Sequence, residues 1–142
     1  MDHPIEFHSE DIEFSLSNPE QVADWIATII EQHDFELAGL TYIFCSDDYL
    51  HQINVEYLDH DTLTDIITFD NADEEGVVES DIFVSIDRVK DNAQTLGIPF
   101  EDELHRVLIH GVLHLLGFKD KTEEQEALMR KQEDSCLSLR KF

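Results

Sequence analysis

An α+β fold, with a mixed β-sheet of about four strands packed with about five helices, is what this chain predicts, and three observations predict it. Short runs rich in β-branched and aromatic residues alternate with amphipathic helical stretches through the first part of the sequence. Three helical stretches then follow one another with no strand between them, which breaks the strict alternation of a parallel α/β sheet. With 142 residues, 42% of them hydrophobic, the chain has enough apolar side chains for one packed core and little room for a second. The expectation is a single domain over residues 1–142.

The elements follow in order. Ile5 to Leu16 alternates apolar and polar residues in two short runs, as an edge strand or a hairpin would. Ser17-Asn18-Pro19 offers a capping side chain ahead of a proline in the first turn of a helix. Val22, Trp25, Ile26, Ile29 and Ile30 then recur with helical spacing and form one apolar stripe. This helix should fade near His33 or Asp34, with Gly39 in the next connection or at the start of a strand. Leu40 to Cys45 reads as that strand; Ser46-Asp47-Asp48 caps a short helix carrying Tyr49, Leu50, Ile53, Asn54 and Tyr57. Thr64 to Phe69 is a second strong strand, Asp73 to Gly76 turns the chain, and Val77 to Ile86 returns as its hairpin partner. Asp87 to Leu96 is a helix closed by Gly97. Pro99 begins the next one, whose Leu104, Val107, Leu108, Val112 and Leu115 form a face broad enough to predict deep burial. Thr122-Glu123-Glu124-Gln125 is a capping box for a last helix carrying Leu128, Met129, Cys136 and Leu139.

Charge narrows the function classes. The net charge is −24, and all nine Lys and Arg lie from Arg88 onward, so residues 1–87 carry −23 of it. Such a distribution argues against binding to a DNA duplex, which needs cations to neutralise several phosphates. No stretch approaches the roughly 18 apolar residues of a membrane helix, and Met1 to Glu6 has neither the basic start nor the apolar run of a secretory signal. Cys45 and Cys136 are far apart and read as reduced thiols. Together these features predict a cytoplasmic protein with no membrane partner.

Chemistry concentrates in His110-Gly111-Val112-Leu113-His114-Leu115-Leu116-Gly117-Phe118-Lys119-Asp120. Two histidines four apart on a helix project from one face, so their imidazoles can converge. Gly117 can take the left-handed conformation that ends a helix, and the returning chain brings Asp120 to the place the imidazoles face. Two nitrogens and a carboxylate oxygen make a three-ligand zinc site with a fourth position open, which is the layout of a catalytic metal. His110, His114 and Asp120 are therefore the candidate metal ligands, at the end of the central buried helix. One zinc ion is expected, although the Asp120 carboxylate also admits another divalent metal. A metal so bound lowers the pKa of its water from about 15.7 toward 7 and polarises a carbonyl or phosphoryl oxygen. Zinc peptidases carry a Glu directly after the first histidine as general base; here that residue is Gly111, which ranks a peptidase below other hydrolysis. The general acid or base is unassigned. Gly111 inside a helix costs about 1 kcal/mol relative to Ala and signals close approach to a neighbouring element.

With those residues in view, the segment resembles the His-Gly-x-Leu-His-Leu-x-Gly-Tyr-Asp-His motif of the YbeY family of bacterial metal-dependent endoribonucleases. His110 and His114 match the first two ligands, and Asp120 stands at the third histidine. Asn54, Tyr57, Thr64, Asp65, Ile66, Thr68 and Phe69 resemble that family's Asn-x-x-Tyr…Thr-(Asp/Asn)-Val-Leu-Ser-Phe stretch, and Ser80-Asp81-Ile82 with Ser85 its Gly-Asp-Ile strand. The resemblance implies a cytoplasmic hydrolase that cuts single-stranded RNA in 16S rRNA 3′-end maturation and ribosome quality control. Its implied partners are that RNA and the ribosome. The alternatives are a zinc metallopeptidase lacking the usual Glu base and a non-catalytic ribosome-assembly factor with a structural metal. Leu58 stands where the family has an Arg suited to a phosphate, so another cation, such as Arg88 or Lys119, would have to replace it. Asp81 is a candidate either to orient a ligating imidazole or simply to satisfy a buried hydrogen bond. Thr64 and Asp65 read as fixing a turn or the start of a strand, His105 as structural, and His51 and His60 as solvent-exposed.

Overall fold

The computed structural model describes residues 4–58 and 64–142. Strand β1 (Ile5–Ser9) leads through helix α1 (Pro19–Gln32) to strand β2 (Glu36–Cys45) and helix α2 (Asp47–Leu58). Strands β3 (Ile66–Asp70) and β4 (Val77–Ser85) follow, then helices α3 (Ile86–Leu96), α4 (Phe100–Leu115) and α5 (Glu123–Ser138). The sheet order is β1-β2-β4-β3, with β1, β2 and β4 parallel and β3 antiparallel to β4. This is the mixed sheet of an α+β fold. Parallel neighbours need long crossovers, and α1 supplies the one between β1 and β2. The antiparallel pair needs only a short turn, which Gly76 closes at φ 79°.

Alternation along the strands sorts two faces. Leu40, Tyr42 and Phe44 of β2 join Ile82 and Val84 of β4 in the main core, under Ile26 and Ile30 of α1 and Leu104, Leu108 and Val112 of α4. On the opposite face Cys45 and Ile67 meet Leu50 of α2 in a smaller cluster. The Tyr42 hydroxyl donates to the Leu108 carbonyl at 2.9 Å, a buried bond that ties α4 to the middle of the sheet. The Trp25 indole donates to the Cys136 carbonyl at 2.8 Å and ties α1 to α5. Both cysteines are buried free thiols. Among the described residues no helix is long and apolar enough to cross a membrane.

Several local expectations change. Ile5 to Leu16 forms no hairpin: β1 alone pairs, in parallel with β2. Phe14 instead leaves the sheet to pack edge-on against Phe44 and Phe100, at centroid distances of 5.0 and 6.0 Å. Asn18 caps α1 by backbone conformation, at φ 54°, and makes no side-chain capping bond. Strand β2 begins at Glu36, ahead of Leu40, because a register shift between Leu37 and Gly39 lets the chain keep pairing with β4 through the glycine. The buried face of α5 is Met129, Glu133 and Cys136, while Leu128 and Leu139 are exposed. His51 is half-buried, not exposed. His60 lies outside the described residues.

Candidate metal centre

The site is built at the exit of α4. Past Leu116 the Phe118 N–H donates to the Leu113 carbonyl at 3.0 Å and the Gly117 N–H to the His114 carbonyl at 3.1 Å. These paired bonds are a Schellman turn, which requires positive φ at the residue after the cap; Gly117 has φ 105°. Phe118 then lies edge-on to His33 at 5.8 Å, pinning the turn to α1. Beyond Asp120 the capping box closes: Gln125 Oε1 accepts from the Lys121 and Thr122 N–H groups at 3.0 and 3.3 Å, and Thr122 Oγ1 accepts from the Gln125 N–H at 3.1 Å. Asp120 therefore sits in a short turn fixed at both ends.

The consequence is a compact triangle. His110 Nε2 and His114 Nε2 are 3.1 Å apart. Asp120 Oδ2 lies 3.4 Å from the first and 3.3 Å from the second. Donors at 2.0–2.2 Å around a tetrahedral ion stand about 3.3–3.6 Å from one another, so the triangle has the size one such ion requires. Side-chain exposures of 24% for His110, 32% for His114 and 38% for Asp120 leave one side open to solvent. Among the described residues this is the one group of three or more His, Cys, Asp or Glu side chains close enough to share an ion.

Gly111 shows why the helix can lie where it does. A Cβ on it would come within 2.8 Å of Ile66 Cδ1, 3.3 Å of Ile82 Cδ1 and 3.4 Å of Thr68 Cγ2. The three family-like segments thus meet at one point: the metal helix, β3 and β4 touch through Gly111, Ile66, Thr68 and Ile82. A glutamate at 111 would be driven into the sheet, so the general base of the zinc peptidases has no place in this packing.

The remaining candidates separate clearly. Asp81 does not reach the imidazoles; its carboxylate accepts from Asn71 Nδ2 at 3.5 Å. The carboxylate that does reach them is Glu133 on α5, whose Oε2 lies 2.6 Å from His110 Nδ1. Its other oxygen accepts from Arg106 Nη1 at 3.3 Å, and Arg106 Nε donates to Glu103 Oε1 at 2.8 Å. Asp65, expected only to start a strand, lines a cleft of about 340 Å³ with Arg106, His110, Asp120, Arg130 and Glu133, and accepts from Asn92 Nδ2 at 3.3 Å. Arg88 does not replace the cation missing at Leu58: its guanidinium is spent on Asp47 at 3.0 Å and Asp91 at 3.1 Å. Lys119 is exposed and does not line the cleft. His105 is structural, with Nδ1 accepting from Arg140 Nη1 at 2.7 Å.

Electrostatics distinguish His110. Burial alone would lower its pKa, but the hydrogen bond and charge of Glu133, with the charges of Asp120 and Asp65, outweigh burial and hold it above the ordinary histidine value. The donor set of two imidazole nitrogens and one carboxylate oxygen fits zinc and also other divalent metals of similar preference. Glu133 could have been suspected from sequence only because it falls between Met129 and Cys136 on the apolar stripe of α5.

A family profile described as Endoribonuclease YbeY matches residues 4–140. A protein named Endoribonuclease YbeY from Cytophaga hutchinsonii is 53% identical over 138 residues, covering 97% of this chain and 96% of the relative. One of the same name from Flavobacterium johnsoniae is 48% identical over 135 residues, covering 95% and 96%. Among solved structures, the solution structure of TM1509 from Thermotoga maritima superposes with a TM-score of 0.64 at 25% identity, covering 94% of this chain and 89% of that one.

Proposed function

The chain belongs to the Endoribonuclease YbeY family, and from that premise we propose that it is a single-strand-specific metallo-endoribonuclease acting in 16S rRNA 3′-end maturation and ribosome quality control. Residues 1–142 form one metal-dependent hydrolase domain, cytoplasmic, with single-stranded RNA and the ribosome as partners. The ribonuclease part of this reading rests on the family, and the observation that carries its metal-dependent part is the convergence of His110 Nε2, His114 Nε2 and Asp120 Oδ2 within 3.1–3.4 Å at the edge of an open cleft.

His110, His114 and Asp120 would hold one zinc ion. An ion held there would supply Lewis acidity toward a phosphoryl oxygen and toward water. The chain's own residues do the rest. The rigid turn from Gly117 to Thr122 presents Asp120 without a search through conformations, and the packing at Gly111 seats the helix that carries both imidazoles against the sheet. Asp65, held by Asn92, lines the wall of the cleft as a carboxylate outside the ligand trio. The cleft contains Arg106 and Arg130 as cations for an anionic substrate; Arg106 is largely engaged by Glu103 and Glu133, and the exposed Arg130 lies 3.7 Å from Glu133.

Metal analysis together with cleavage of single-stranded RNA tests the proposal, comparing the native chain with His114→Ala and Asp120→Ala. One zinc per native chain is expected, with cleavage reduced about 10²–10⁴-fold in the variants, the worth of several kcal/mol of charge stabilisation. Equal cutting by all three proteins would assign the activity to a contaminant and end the proposal. Zinc-loaded protein that loses its fold to chelator yet cuts no RNA would favour the assembly-factor alternative. Digestion of casein in the presence of zinc would favour the peptidase.

A further inference from the structure

We infer that Glu133 is a positioning residue for the metal centre: it takes the Nδ1 proton of His110 in a hydrogen bond and so leaves Nε2 bare toward the other two ligands. Arg106 and Glu103 hold Glu133 in that pose. The inference rests on the metal reading of His110, His114 and Asp120 and is independent of the substrate.

A neutral imidazole has one N–H, and a carboxylate can only accept. With Glu133 Oε2 at 2.6 Å from Nδ1, and the Glu133 side chain 3% exposed, a buried carboxylate is the acceptor for that proton. Nε2 is then a lone pair, and Nε2 is the atom that faces His114 and Asp120. In the opposite tautomer Nε2 would present a proton where a ligand must present a lone pair.

The chain behind Glu133 has the same purpose. Glu133 Oε1 accepts from Arg106 Nη1, and the Arg106 fork is clamped by Glu103 through both Nε and Nη2. Glu103 is fully buried, and among the described residues its Oε2 has no hydrogen-bond partner. A buried carboxylate oxygen left unpaired is destabilising. Its place in the first turn of α4 suits a carboxylate, but an exposed acid would serve there equally well, whereas fixing Arg106 requires the buried one. Glu103, Arg106, His110 and His114 fall at i, i+3, i+7 and i+11, one stripe along α4, and Glu133 crosses to that stripe from α5. The docking of α5 therefore sets the orientation of a ligand borne by α4.

The test joins zinc affinity, measured by competition with a chromogenic chelator, to NMR of the ring nitrogens in protein labelled with ¹⁵N-histidine. In the metal-free native chain at about pH 9, above the ordinary titration range of histidine, His110 should carry its proton on Nδ1. Glu133→Gln should mix the tautomers and weaken zinc binding about 10–100-fold. Asp134→Asn removes the same charge from an exposed neighbour and should change neither readout. An Nε2–H ring in the native chain overturns the inference even if Glu133→Gln fails to fold. Native zinc affinity in a folded Glu133→Gln overturns it as well. A native chain that binds no zinc would remove the metal reading and this inference together. Neither readout uses RNA, so failure of the nuclease reading would show elsewhere, as protein that binds zinc normally and cuts nothing.

Discussion

His105 and His110 lie five residues apart on α4, about 140° around its axis, and meet opposite surroundings. His105 is 6% exposed, set between Trp25 and Phe142 at centroid distances of 5.8 and 5.4 Å. Burial and the nearby Arg140 charge hold its pKa below the ordinary value. His110 is also shielded, yet carboxylates from α5, from the turn after α4 and from the start of β3 reverse the direction. Burial and a neighbouring cation thus make a structural histidine. What makes the other one a candidate ligand is the set of carboxylates that three separate elements bring to it.

That contrast can be broken at several points. Arg106→Met should have the largest effect on stability, because it strands the buried Glu103 carboxylate without its cation and leaves Glu133 only the more distant Arg130, at 3.7 Å. Removing one partner of a buried pair costs about 3–5 kcal/mol, readable as a lower urea midpoint. A loss under about 1 kcal/mol would mean that the Arg106 network behaves like a surface pair.

Gly111→Ala is next. Its Cβ would press on Ile66 Cδ1, the mobile end of a side chain, so the overpacking of about 1–3 kcal/mol is partly offset by about 1 kcal/mol of helix propensity. A net loss near 1 kcal/mol in thermal unfolding is expected; a gain would show that α4 does not rest on β3 and β4 as described.

His105→Phe should keep RNA cleavage, at a stability loss of about 1 kcal/mol for the missing acceptor of Arg140. Its sharper effect is on pH dependence. Because the folded-state pKa is depressed, the unfolded chain binds the proton more readily, so this histidine's contribution is present above its ordinary pKa and is lost as pH falls below about 6.5. The variant should lack that acid-side decline in denaturant titrations. An unchanged decline would place its origin in other groups.

Leu58→Arg is the mildest change, since Leu58 is exposed and stability should move by less than about 0.5 kcal/mol. If the α2 terminus borders the RNA path, one added phosphate contact should steepen the salt dependence of RNA binding by about 0.7 in log–log slope. An unaltered slope would put the RNA elsewhere.

Sequence made the ligand trio legible because its spacing carries geometry: four residues bring two imidazoles to one face, and a glycine at the helix exit turns the chain back toward them. Gly111 was legible for the same kind of reason, as a helix glycine that only close packing explains. Glu133 was not. On α5 it is one acidic residue among Glu123, Glu124, Glu126 and Asp134, and its burial depends on how α5 docks against α4, a tertiary fact. The early start of β2 was hidden by Gly39, whose weak strand propensity is overridden by pairing with β4. Phe14 looked like one member of an alternating strand until its contacts with Phe44 and Phe100 showed it capping the core. The sheet order itself had no local signal. The ribonuclease activity came from likeness to a family, because two imidazoles and a carboxylate do not by themselves name a substrate.

The most direct measurement is anomalous diffraction at the zinc absorption edge from crystals grown with stoichiometric zinc. One peak is expected, about 2.0–2.2 Å from His110 Nε2, His114 Nε2 and an Asp120 carboxylate oxygen. No peak among those three atoms, with the Asp120 carboxylate turned away from both imidazoles, would contradict the account.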